Sequence, residues 1–373
     1  MKPVIVAGHV CVDLTPTLAA PPEMEPGRLI GVGPLAMSAG GCVGNTGRAL
    51  AFLGIPTQLV ASVGSDELGR VLVALLAAST ADTTGMASLE DRGTSYSIVL
   101  DVPGRDRTIW HYIGANADFD GSGVIDRLGV AAPSRGANAS GAQDTILHVG
   151  YPTLLPALYA DGGAALTRVV GSARAAGATI SIDLAEFDPA SEAAAVDWER
   201  LLARILPDVD VVKASLDDLE AMLPNRAGLE PIAWADVLVA LGAAGAIVTA
   251  GADGLYVRTA TAARIRGAAR PLRDALPDWS GRELWAPSLA TRVLATTGAG
   301  DAAAAGFLAG LAHGRGPAES ASLAAAAAAS RISGRPIGEA YRLAVSIQPA
   351  KAQRSGWSIG PDRVYHGPRD KEA

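Results

Sequence analysis

Thr296-Thr297-Gly298-Ala299-Gly300-Asp301 is the segment whose residue types and spacing most directly suggest chemistry. It follows a strand-like run, Thr291–Leu294, and precedes a helical run, Ala302–Ala312. Glycines let the backbone turn sharply, and amides at a helix start converge on an anion with the positive end of the helix dipole behind them. The amides of Gly298, Ala299 and Gly300 could thereby hold a phosphoryl group in transit, and Asp301 could take the proton of an attacking hydroxyl. The lesser alternative is that the same Asp merely caps the helix.

Three further segments could complete such a site. Gly40-Gly41 and Asn45, followed by Ala49-Leu50 and Leu53-Gly54, make a glycine turn entering a helix, which could bind a ligand or only turn and cap. Lys213-Ala214-Ser215-Leu216-Asp217-Asp218 offers a cation, a hydroxyl and an acid, but Ser with an acid three residues later is also an ordinary helix cap. Thr249, Gly251 and Gly254 shape a turn against which a nucleotide could lie, since glycine permits close approach, yet a plain hairpin between Ile247 and Val257 needs similar residues.

Positioning these segments requires buried parallel strands. Short apolar runs at Val4–Ala7, Gln58–Val63, Thr145–Val149, Thr179–Ile182, Val209–Val212 and Ala246–Thr249 predict such strands. They alternate with helical spacing at Gly41–Leu53, Asp66–Ala78, Ala164–Ala176 and Trp234–Gly242, which predicts a doubly wound α/β fold. Arg28–Met37 and Thr94–Tyr112 break the pattern. The second reads as a β-hairpin about Pro103-Gly104, and the two together predict a small sheet forming a lid over the main domain, with an edge hairpin as the alternative. Arg264–Pro287, rich in Pro, Arg and Trp, reads as a surface excursion, and the polar C-terminal stretch as a loosely packed tail.

At this point the chain resembles the ribokinase-like (PfkB) carbohydrate kinases, in family order from residue 4 to about 335. Thr297 to Asp301 matches the C-terminal signature, a glycine-rich turn ending in the catalytic Asp. Gly40-Gly41 and Asn45 match the N-terminal signature, whose turn and Asn contact the sugar, and Asp13 matches the Asp that binds sugar hydroxyls. Gly64, Asp66 and Gly69 fit a stretch that shapes a loop. Arg107 to Asn116 resembles the return strand of the lid, so Asn116 and Arg107 could reach the substrate; Arg107 also reads as a solvated hairpin residue. Lys213, Ser215 and Asp218 stand where the family has Asn-x-x-Glu, which organises magnesium-bound water and nucleotide phosphates. Thr249, Gly251 and Gly254 match the turn where the nucleotide lies. Ala295 stands where the signature often has Asp, which withdraws support from a monovalent-cation site.

The resemblance implies a ribokinase-like, doubly wound, mostly parallel sheet flanked by helices, with residues 1–350 as the kinase domain, lid segments near 14–39 and 93–115, and a tail at 351–373. It implies ATP-dependent phosphorylation of a hydroxyl on a sugar-like molecule, with ATP and Mg2+ as cofactors, Asp218 acting on the metal through water, and Thr297 beside the nucleotide. Lid sheets in the family often meet in dimers, so a homodimer is expected as a possible partner arrangement. The alternatives are a non-catalytic nucleotide or sugar sensor and a nucleoside kinase of the same fold.

Composition narrows the classes. The chain has 373 residues, a formal charge of −7 and no run of Lys or Arg, which argues against a nucleic-acid partner or an anionic membrane. Cys11 and Cys42 lack metal-site spacing, and no apolar stretch approaches the roughly 20 residues of a membrane span, so a cytoplasmic protein is expected. Gly298-x-Gly300-x-x-Ala303 meets a relaxed dinucleotide fingerprint, but Pro317–Ser330 reads as another helix where an acid-ending strand should stand. Gly64-x-x-x-x-Gly69 is followed by Arg70 in place of a Walker Lys.

Overall fold

The computed structural model describes residues 1–22, 25–102, 107–129, 144–289, 292–346, 356–361 and 364–370. All six expected strands form: β1 (Val4–Gly8), β4 (Thr57–Gly64), β8 (Ile146–Gly150), β9 (Thr179–Asp183), β10 (Val211–Ser215) and β11 (Gly245–Thr249). With β5 (Asp82–Leu89) they make a parallel array in the order β11-β10-β9-β8-β1-β4-β5. Strands buried on both faces must be apolar throughout, and β1, β8 and β9 are buried at every position. Helices cover both faces, so one core lies on each side of the sheet.

Four antiparallel strands extend the array: β12 (Leu255–Thr259), β13 (Glu283–Ala286), β15 (Tyr365–His366) and β14 (Ser358–Ile359). This corrects two expectations. Arg264–Pro287 is no surface excursion, because it holds three short helices and β13, and Trp279 and Trp285 are fully buried. The C-terminal stretch is not loose where it is described: β14 and β15 join the sheet edge, and Asp370 pairs with the buried Arg282 at 2.8 Å. Polar composition concealed both, since these charges are paired rather than solvated.

A second sheet of order β3-β2-β6-β7 consists of β2 (Cys11–Pro16), β3 (Leu35–Gly40), β6 (Tyr96–Leu100) and β7 (Thr108–Tyr112). β6 and β7 pair antiparallel from Tyr96↔Tyr112, the expected hairpin, while its Pro103-Gly104 turn lies outside the described residues. β2 runs on from β1 after two residues, so the chain enters the small sheet directly from the third strand of the large one, counted from the β5 edge.

Helices Ala299–Ala312 and Pro317–Ile332 pack closely because small residues face each other. A Cβ on Gly306 would sit 2.6 Å from the Leu323 carbonyl oxygen, nearer than side-chain atoms can approach. The Ala and Gly richness is therefore used here. The strand expected at Thr291–Leu294 does not form: Thr291 lies outside the described residues, and Leu294 instead donates its N–H to the Ile332 carbonyl at 2.7 Å.

Candidate active site

In an open parallel sheet, ligands gather beyond the carboxyl ends of the strands, where loops diverge. His9, Tyr151, Asp183, Ser215 and Thr249 stand at or just past the ends of β1, β8, β9, β10 and β11. The helix beginning at Ala299 brings Asp301 to the same place.

Gly298 caps that helix with φ at +76°, the left-handed region that glycine enters without penalty. The first helical bond runs from Ala302 N–H to the Gly298 carbonyl at 2.9 Å, leaving the Gly300 and Asp301 amides without intrahelical acceptors. Ala299 is a correction to the expected three-amide cradle: its N–H already donates to Thr296 O at 3.1 Å.

Asp301 is buried and held by three donors. Tyr151 OH donates to its Oδ1 at 2.7 Å, Thr46 Oγ1 to Oδ1 at 3.1 Å and Asn45 Nδ2 to Oδ2 at 3.1 Å. Burial raises its pKa above the ordinary carboxylate value, opposed by Lys213 and then by these hydrogen bonds. Asn45 was legible from the glycine turn; Thr46 and Tyr151 were not. Tyr151 follows Gly150 at the end of a buried strand and adopts φ +60°, which turns its ring back over the site. A polar aromatic at a strand's carboxyl end was the available signal.

Lys213 lies beneath the glycine turn rather than at its rim. A Cβ on Gly300 would stand 3.1 Å from Lys213 Nζ, and the ammonium pairs with Asp183 at 2.8 Å, both residues buried. Burial opposes the charge on Lys213, but Asp183, Asp218 and Asp301 outweigh it and hold the ammonium protonated. Asp183 ends β9 and was missed because an acid closing an apolar strand resembles a loop residue.

Ser215 and Asp218 form a full capping box. Asp218 N–H donates to Ser215 Oγ at 3.1 Å, Ser215 N–H to Asp218 Oδ2 at 2.6 Å, and Glu186 N–H to Asp218 Oδ1 at 2.7 Å. Each Asp218 oxygen keeps a lone pair, which fits a metal ion held chiefly by nucleotide phosphates and water. Among the described residues no group of three or more His, Cys, Asp or Glu is arranged as a metal cage. Thr249 to Gly254 closes the antiparallel β11–β12 pair, so the hairpin reading is also true. Gly254 has φ +96° and lies against the Ala286–Ser288 backbone, a close approach only glycine allows, and Thr297 sits in the turn before Gly298.

On the other side of Asp301, Asp13 lies within β2 of the small sheet, opposite Ser38 and Ser97. Its carboxylate accepts from Cys11 Sγ at 3.4 Å and folds over Gly40, where any Cβ would overlap it. Burial raises its pKa. Gly41, at φ +73°, makes room for the His9 ring. His9 meets His111 of β7 with Nε2 atoms 3.2 Å apart, and burial lowers both pKa values, so neutral imidazoles join the two sheets. Asn116 is fully buried with its amide engaged by both backbone groups of Val10, at 2.8 and 3.3 Å; it fixes the loop that carries His9 and Cys11 and does not present its amide to the cleft. Arg107 reaches from the lid to Thr296 Oγ1 at 3.2 Å.

Solved structures share this fold. A ribokinase from Arabidopsis thaliana complexed with ribose and ATP has a TM-score of 0.65 at 19% identity, over 92% of this chain and 98% of that one. A ribokinase II from E. coli in complex with ATP and Mg2+ has a TM-score of 0.63 at 18% identity, over 91% and 96%. A nucleoside kinase from Burkholderia thailandensis in complex with inosine has a TM-score of 0.61 at 18% identity, over 90% and 93%. The architecture is ribokinase-like. No curated protein matches the chain. The pfkB family carbohydrate kinase description matches residues 1–336, and the chain belongs to that family, whose kinases are ATP-dependent phosphotransferases. No helix among the described residues is long and apolar enough to cross a membrane.

Proposed function

We propose that this protein transfers the γ-phosphoryl group of ATP to a hydroxyl of a sugar or sugar-like molecule, with Asp301 as the base. The observation that carries this reading is a buried carboxylate in the first turn of a helix capped by a left-handed glycine, Gly298, and above the Lys213 ammonium. The acceptor hydroxyl approaches Oδ2, which among the described residues accepts from Asn45 alone, whereas Oδ1 is filled by Tyr151 and Thr46. The Gly298 and Gly300 amides, with Lys213 below, face the developing charge on the phosphoryl group. Mg2+ bound with the nucleotide offsets phosphate charge, and Asp218, with Ser215, stands on the nucleotide side with Thr249, Gly251, Gly254 and Thr297. Asp13, Gly40, Gly41 and Asn45 hold the acceptor, and closure of the lid through Arg107 excludes water.

ADP formation from MgATP, measured across sugars, sugar acids, polyols and nucleosides with Asp301→Asn in parallel, tests this. One acceptor should give turnover that the variant loses. Saturable nucleotide binding without turnover on any acceptor would instead support a sensor, and turnover confined to nucleosides would assign a nucleoside kinase. The small sheet carries exposed Leu35, Met37, Ile109 and Trp110, which supports self-association through the lid. Sedimentation velocity of wild type and Trp110→Glu reads this directly, and a monomeric wild type would remove the dimer.

A further inference from the structure

Two arginines reach the glycine turn, and a third stands one helical turn beyond Asn45. Arg331, in the last turn of helix Pro317–Ile332, reaches back over Gly298: a Cβ there would lie 3.1 Å from Arg331 Nε and 3.6 Å from Asn45 Cγ. The guanidinium and the amide that holds Asp301 thus flank one glycine. Arg107 arrives from the lid at Thr296, two residues earlier. Arg48, one turn beyond Asn45, has a buried Nε without a hydrogen-bond partner, and its guanidinium lies 5.9 Å over the Phe52 ring.

Neither Arg48 nor Arg331 has an ion-pair partner among the described residues, although the chain carries more acids than bases and Arg174, Arg258, Arg282 and Arg369 are all paired. Two unpaired cations near each other repel, and the part-buried Arg48 also loses hydration. Burial and then the nearby Arg331 lower the pKa of Arg48, and the same Arg331 acts on Asp13 across the acceptor pocket. An anion between them relieves both costs. Guanidinium forks match the oxygens of a carboxylate or phosphate ester. Lys213, Ser215 and Thr249, on β10 and β11, serve the nucleotide side, whereas Arg48 continues the segment of Asn45.

We propose that Arg48 and Arg331, joined by Arg107 of the lid, form an oxyanion subsite of the acceptor pocket, so that the acceptor is an anionic sugar, carrying a carboxylate or a phosphate ester in addition to the hydroxyl that meets Asp301. This rests on the kinase reading above.

The test is ADP formation with matched sets, namely glucose, gluconate and glucose 6-phosphate, and ribose, ribonate and ribose 5-phosphate, for wild type, Arg331→Gln and Arg48→Gln. An anionic member should exceed its neutral partner by about 10²-fold or more in kcat/KM, because a site built for a polar group rejects ligands lacking it. Arg331→Gln should remove about 10-fold or more of that preference through the acceptor KM, with the KM for MgATP unchanged; the carboxylate and phosphate arms identify the group. Arg331 is exposed, so the substitution spares the core. A neutral acceptor preferred by all three proteins overturns the subsite, as does an effect of Arg331→Gln confined to MgATP. If no acceptor turns over, the kinase reading fails separately, and sulfate decides the subsite: a sulfate-induced rise in Tm that the double variant loses supports it, and one that the double variant keeps refutes it.

Discussion

Asp301 must be deprotonated to act as a base, yet it is buried, and Lys213 and then three hydrogen bonds hold its proton affinity down. Replacing it with Asn should lower kcat by roughly 10²–10⁴-fold while nucleotide binding, measured by calorimetry, persists. Tyr151 offers a finer check. Its hydrogen bond favours the ionised carboxylate, so Tyr151→Phe should raise the Asp301 pKa and move the acid limb of the kcat–pH profile to higher pH. A purely packing role would lower activity without moving that limb. Asn45 was readable because it follows a glycine pair; Tyr151 and Thr46 were not, because each acquires a role only when Asp301, 150 and 255 residues away, folds against it.

At the scale of elements, two glycine-dependent contacts matter. Gly40 ends β3 directly under the Asp13 carboxylate, so Gly40→Ala should displace Asp13 and raise the acceptor KM with little change in the KM for MgATP. A proportional rise in both constants would count against separate sides for acceptor and nucleotide. Gly306 lies where helix Ala299–Ala312 meets helix Pro317–Ile332, and Gly306→Val should cost about 1–3 kcal/mol by overpacking, seen as a lower urea midpoint. The strands of the parallel array were legible because burial on both faces demands unbroken apolar runs. Strand β13 was not, since Glu283 and Arg282 look solvent-facing until Arg369 and Asp370 return to pair with them.

The whole molecule's response to pH combines opposing groups. His148, inside β8, is buried neutral with its pKa lowered to about 3, first by burial and then by Lys213. The unfolded chain therefore binds more protons than the folded one from about pH 6.5 down to about 3, and stability is lost as pH falls through that window. Asp183 works in the other direction: burial raises its pKa against the opposing pull of Lys213, so its contribution is lost as pH rises through that raised value. The difference between wild type and His148→Gln isolates the histidine, and its urea midpoint should fall less steeply on acidification than that of wild type. Parallel slopes would mean that His148 is not held neutral by the fold.

By itself the sequence determined the parallel α/β array, the lid hairpin and the glycine turn with Asp301, because backbone geometry and two-sided burial restrict residue type locally at those places. Tertiary structure alone decided that Lys213 lies beneath the turn against Asp183, that Asn116 is engaged by Val10, and that Arg331 reaches over Gly298 beside Asn45. A lone cation or amide carries no local mark of its partner. Its electrostatic role is set by which distant charges share its low-dielectric surroundings, and only the closed fold defines those.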